Sequence, residues 1–161
     1  MKFMAIDDNE LNRAKDVAYR FLSYRPRSER EVIRRLKLKG FTKDTVEKVI
    51  NTLEKYGYID DAKFAFDWAK YRLQNKPIGK NRLIRELREK GIASDIIHGA
   101  VDETYENIDE SEIARELAKK KIRSYKGLGD RIIQRRLFAF LLRRGFSIET
   151  SKRAINEVLG L

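Results

Sequence analysis

Apolar residues in this chain come in short pairs between charged stretches, and the pairs recur at fixed distances from a glycine. Val32-Ile33, Leu83-Ile84 and Leu137-Phe138 stand eight and seven residues before Gly40, Gly91 and Gly145, and Val49-Ile50, Ala100-Val101 and Ala154-Ile155 stand nine and ten residues after them. A leucine (Leu36, Leu87, Leu141) lies four residues ahead of each glycine, a large apolar residue (Phe41, Ile92, Phe146) follows it directly, and an acid (Asp44, Asp95, Glu149) comes four residues later. Pairs at these offsets describe two amphipathic helices joined at the glycine. The glycine belongs at C′, where a left-handed backbone ends a helix without a Cβ penalty. The glycines are 51 and 54 residues apart, a period that marks tandem supersecondary units rather than one core.

The remaining pattern adds one helix ahead of each pair. Asn9 is placed to cap a first helix with Leu11, Ala14, Ala18, Phe21 and Leu22 inward, ending before Pro26. Ser28 and Glu31 form a capping box before Val32, and Thr42 caps the helix that buries Val46, Val49, Ile50 and Leu53. A second unit opens at Gly57-Tyr58-Ile59-Asp60-Asp61, whose aspartates start a helix buried through Phe64, Ala65, Trp68 and Ala69; Pro77 and Gly79 end it. A third opens at Asp109 and Glu112, read as another capping box, followed by Ile113, Leu117 and Ala118. Its longer turn, Lys126 to Asp130, accounts for the wider spacing, and Lys2 to Ile6 reads as a short extended tail. The expected fold is all-α: a tail over 1–8, then three-helix repeats over 9–56, 57–106 and 107–161. Each repeat holds three helices of roughly 11 to 14 residues, and the whole forms an elongated, curved array.

Charge separates the repeats. Residues 1–56 hold 14 cations and 9 acids, residues 57–110 hold 9 and 11, and residues 111–161 hold 13 and 5. The two ends are therefore basic and the middle slightly acidic. Arg30, Arg34 and Lys37 share one stripe opposite Val32 and Leu36, with Arg35 and Lys39 beside it. In the third repeat Lys119, Lys120, Lys121, Arg135, Arg136, Arg143 and Arg144 supply the same character. A net charge of +11 favours a polyanionic partner, nucleic acid or a protein coating it. No apolar run exceeds six residues, too short to span a membrane, and cysteine is absent, which removes disulfides and thiolate metal sites and fits the cytoplasm.

Enzyme chemistry finds little purchase. His98 is the only histidine, Asp60 and Asp61 are explained by capping, and Gly127-Leu128-Gly129 lacks the lysine and hydroxyl of a phosphate loop. No nucleophile and base are assembled, and no cofactor is called for. Tyr58, Trp68 and Tyr71 are candidates for base stacking, although the spacing of Trp68 from Phe64 places it in the core.

The string Gly57-Tyr58-Ile59-Asp60-Asp61 with Phe64-Ala65, Trp68, Arg72, Gly79, Arg82-Leu83, Glu86-Leu87 and Lys90-Gly91-Ile92 resembles the bacterial RecX regulators of the RecA recombinase. Arg143-Arg144-Gly145-Phe146-Ser147 is similar to that family's C-terminal signature. The resemblance covers roughly residues 11–160 and implies three tandem three-helix repeats. It further implies a non-enzymatic modulator, expected as a cytoplasmic monomer, that lies in the groove of the RecA filament on single- or double-stranded DNA. Such a protein suppresses strand exchange, ATP hydrolysis and coprotease action in recombination, repair and the SOS response. Ile92 and Ala93 depart from the Phe-Thr and Phe-Ser of the outer repeats. The alternative reading is an autonomous DNA- or RNA-binding protein whose helix-turn-helix-like repeats each enter a groove.

Overall fold

The computed structural model describes residues 8–161. Its helices fall into three triplets: α1 (Asp8–Tyr24), α2 (Glu29–Leu38) and α3 (Lys43–Lys55); α4 (Asp61–Asn75), α5 (Lys80–Glu89) and α6 (Ser94–Tyr105); α7 (Glu110–Ile122), α8 (Asp130–Arg143) and α9 (Ile148–Leu159). A 3₁₀ turn, Arg123–Tyr125, follows α7. There is no strand among the described residues.

Each triplet buries its own apolar set, and every extensive helix-to-helix contact lies inside one triplet. The first and third helices meet closely because the first offers an alanine pair one turn apart. Ala14 and Ala18, Ala65 and Ala69, and Ala114 and Ala118 are all fully buried. Leu36, Leu87 and Leu141 are likewise fully buried, each contributing about 1.5 to 3 kcal/mol of apolar burial. Ile59 packs into the core of the first repeat rather than the second.

The glycine turns share one hydrogen-bond scheme. In the first, the Gly40 N–H donates to the Lys37 carbonyl (3.0 Å) and the Phe41 N–H to the Leu36 carbonyl (3.3 Å); Gly91-Ile92 and Gly145-Phe146 repeat both bonds. This Schellman closure needs a left-handed residue at C′, and Gly40, Gly91 and Gly145 have φ of 85°, 80° and 92°. The next residue turns back into the core, so one local motif ends the helix and sets its angle to the next.

Several expectations need correction. Asn9 lies inside α1, which already includes Asp8, and the proposed tail at Lys2 to Ile6 lies outside the described residues. Asp109 caps α7 through the Ser111 N–H, but Glu112 pairs with Arg115 instead of closing a box. The extra length of the third repeat is shared between the connection and α8, which has 14 residues where α2 and α5 have 10. α1, with 17 residues, is longer than the pattern suggested.

The repeats are joined twice in the same way. The start of the second helix of one repeat docks on the glycine turn of the next. Ser28 Oγ donates to the Lys90 carbonyl (2.6 Å), and the Gly79 N–H donates to the Arg144 carbonyl (2.8 Å). The first residue of that helix also donates its N–H to the acid that begins the first helix of the next repeat: Glu29 to Asp61 and Lys80 to Glu110, both at 2.9 Å. Ser28 also closes its capping box with Glu31 and is fully buried. Ser28→Ala is therefore expected to cost about 1 to 2 kcal/mol, checked by urea melting; a change under about 0.3 kcal/mol would contradict both bonds.

Candidate nucleic-acid and partner interface

α2 sets the first basic surface. Because Val32 and Leu36 are fully buried, Arg30, Arg34, Arg35, Lys37 and Lys39 are turned outward and exposed. They are not equivalent. The Arg30 side chain lies against Gly91 and belongs to the joint. Arg35 approaches the Phe21 ring at 5.5 Å, behind Arg27 at 3.9 Å. Lys37 borders the groove between α2 and α3, where Glu29, Glu47 and Glu54 also stand. Arg34 and Lys39 make no ion pair among the described residues.

In the third repeat the same sorting applies. Lys119 pairs with Glu116 at 3.0 Å, and Lys121 sits over the Tyr125 and Phe140 rings. Lys120, Arg135, Arg136 and Arg143 are exposed without an ion pair among the described residues, although Arg136 comes within 5.8 Å of the Tyr125 ring. Arg144 is half-buried, with its guanidinium 5.3 Å from the Phe140 ring centroid. Burial, and then the charges of Arg82 and Arg72, hold it below the usual arginine range. It is the residue of this set most tied to structure.

The middle repeat turns key charges inward. Glu86 accepts from Trp68 Nε1 (3.1 Å), from an Arg72 terminal nitrogen (3.0 Å) and from Arg82 Nε (3.1 Å). Arg82 also reaches the Arg143 carbonyl of the third repeat at 3.3 Å. Sequence reading missed this cluster, since Arg82 and Glu86 look like a solvent-facing pair one turn apart.

Of Asp60 and Asp61, both explained from sequence by capping, Asp60 caps α4 and Asp61 does not. Asp60 accepts from the Lys63 N–H, while Asp61 reaches across to Glu29. Burial, then the Glu54 and Asp61 carboxylates, raises Glu29 above the usual carboxylate range; burial likewise raises Asp61. His98 is exposed, its Nδ1 2.6 Å from the Ser94 carbonyl oxygen on the same helix. No group of three or more His, Cys, Asp or Glu side chains among the described residues is placed to hold a metal ion.

Trp68 is not fully interior. Its ring stacks on Phe64 at 6.2 Å, carries Lys90 Nζ at 4.5 Å and borders an open apolar cleft of about 380 Å³ with Pro26 and Tyr71. Tyr58 is exposed and meets Tyr19 edge-on at 5.1 Å. No helix among the described residues is long and apolar enough to cross a membrane.

Three-helix units joined turn-to-helix, with cations outward at both ends, define an all-α tandem-repeat protein. Family models described as the first, second and third three-helix domains of RecX match residues 14–53, 60–101 and 108–155. The chain belongs to the RecX family. A regulatory protein RecX of Chlorobium phaeobacteroides (strain BS1) is 33% identical over 151 residues, spanning 94% of this chain and 97% of the relative. One from Amycolatopsis mediterranei (strain U-32) is 30% identical over 152 residues, 94% of this chain and 86% of the relative. The crystal structure of RecX from Lactobacillus salivarius superposes with a TM-score of 0.83 at 24% identity, covering 96% of this chain and all of that one.

Proposed function

We propose that this protein is a non-enzymatic regulator, in the inhibitory sense, of the RecA recombinase. It lies along the groove of the recombinase filament on DNA and suppresses strand exchange, ATP hydrolysis and coprotease activity. Relatives that span nearly the same length carry the name regulatory protein RecX, which supports the regulatory role. The observation that carries the reading is the placement of unpaired cations. Arg34 and Lys39 at one end, and Lys120, Arg135 and Arg143 at the other, face outward without acids. Between them Arg72 and Arg82 are held by Glu86, and the exposed Lys76, Arg85 and Arg88 stand in a stretch, residues 57–110, where 11 acids outnumber 9 cations. A protein charged this way grips an extended polyanionic assembly at two places.

The test is inhibition of recombinase ATP hydrolysis on DNA at physiological salt. Arg34→Glu/Arg35→Glu and Arg136→Glu/Arg143→Glu should each lower potency about tenfold with unchanged helicity, since charges at an interface rim act on association. Affinity for duplex DNA alone should fall with salt by a log–log slope of about −0.9 per phosphate neutralised. If both double reversals inhibit as well as the parent, the working contacts are on the middle repeat. DNA affinity that is the same with and without recombinase would instead mark an autonomous nucleic-acid binder.

A further inference from the structure

The groove between the second and third helices recurs in the outer repeats, and its lining changes sign. In the first repeat, Glu29, Glu47 and Glu54 stand beside Lys37 and Lys43 over a floor of Ile33 and Ile50. In the third, Arg131, Arg135 and Lys152 line the wall, Gln134 and Asn156 supply amides, and Phe138 and Ile155 form the floor. Counted from the turn glycine, Gln134 replaces Glu29, Lys152 replaces Glu47 and Phe138 replaces Ile33, while Asn156 matches Asn51. Arg131 lies in the additional turn of α8 that α2 lacks. The same fold position has thus lost its three acids, gained an aromatic ring, and gone from two cations, Lys37 and Lys43, to three, Arg131, Arg135 and Lys152.

This cleft, of about 440 Å³, has no acidic residue in its lining, and Arg131, Arg135 and Lys152 make no ion pair among the described residues. Like charges brought together without counter-charge raise the local potential and attract an anion. The uncharged part narrows the choice of anion. A half-buried phenyl ring between cations suits a stacked base flanked by phosphates, and neighbouring amides can pair with an open base edge. Such faces and edges are offered by single strands, whereas in a duplex they are stacked and paired. An acidic peptide would answer the cations but leave the ring and amides without complements.

We infer that the α8–α9 groove is a binding site for a single-stranded nucleic-acid segment, with Arg131, Arg135 and Lys152 on phosphates and Phe138 beneath a base. The inference rests on the regulatory reading above for its setting, a filament on DNA, but it is tested on the full chain without recombinase.

Binding of a fluorescein-labelled mixed-sequence oligonucleotide, and of its duplex, is followed by anisotropy. Arg131→Glu/Lys152→Glu should lower single-strand affinity about tenfold or more. Phe138→Leu should lower it about fivefold while changing duplex affinity less than about twofold, and Phe138→Tyr, which keeps a stacking face, should bind like the parent. Thermal melts identify any variant that has lost its fold, and if Phe138→Leu is one of them the folded charge variant carries the test. The inference is overturned if the folded charge variant binds as the parent does, if Phe138→Leu weakens single strand and duplex equally, or if a polyglutamate peptide displaces the oligonucleotide at equal charge concentration. Recombinase inhibition is scored separately on the same proteins. Unchanged DNA binding with inhibition present sinks the groove alone, and absent inhibition in the parent sinks the regulatory reading alone.

Discussion

Glu86→Ala is expected to destabilise the protein by roughly 3 to 5 kcal/mol, the cost of leaving a buried charge without its partner. Among the described residues Glu86 is the single carboxylate that meets Trp68, Arg72 and Arg82, and Arg72 is only 9% exposed. Removing the carboxylate strands the Arg72 guanidinium, whose Nε already has no hydrogen-bond partner, and frees Arg82 from the position in which it supports the third repeat. Glu86→Gln should fall between, because an amide oxygen still accepts from Trp68 but brings no charge. The chain has one tryptophan, so urea titration followed by Trp68 fluorescence reads this network directly. A loss below about 1 kcal/mol for the alanine variant would mean that water replaces Glu86 at little cost.

What was legible in the sequence and what was not divides along contact range. The glycine turns, the Ser28 box and the Thr42, Asp60 and Ser147 caps are local, made within five residues of the glycine or cap. Their signals are therefore written side by side in the chain. The joints are not: Ser28 meets Lys90, and Gly79 meets Arg144, across more than sixty residues. No periodicity announces such pairs, although once the repeats are aligned on their glycines both joints occupy the same register.

The candidate cations show the same split. Their exposure followed from the buried stripe of Val32 and Leu36, because a helix that buries one face turns the other out. Which of them were already engaged could not be read that way. Arg30 and Arg144 are bound up with joints, Lys121 with aromatic rings and Lys119 with an acid three residues earlier. The last of these was readable from spacing alone. Arg131 and Lys152 were passed over; comparing equivalent positions of the first and third repeats would have singled them out, since Lys152 stands where the first repeat has Glu47 and Arg131 lies in a helical turn that α2 lacks.

Gly145→Ala should cost roughly 2 to 4 kcal/mol, against about 1 kcal/mol for Gly40→Ala, although the two glycines occupy the same place in their repeats. Both have φ in the left-handed region, at 92° and 85°, so both carry the backbone cost of a side chain there. They differ in what surrounds them. A Cβ at Gly40 meets nothing within 4 Å, whereas one at Gly145 falls on the backbone nitrogen and Cβ of Arg82, which cannot swing aside as the end of a flexible side chain could. Relief requires the second and third repeats to separate, which strains the bond from the Gly79 N–H to the Arg144 carbonyl and the reach of Arg82 to the Arg143 carbonyl. The joint also fixes the distance between the two basic ends. Gly145→Ala should therefore weaken filament inhibition beyond its effect on the folded fraction, while Gly40→Ala should not. Chemical denaturation of both variants, with inhibition measured well below their midpoints, checks the pair. Equal costs at the two glycines would mean that the second joint opens freely, and that the spacing of the basic ends is set by the partner rather than by the fold.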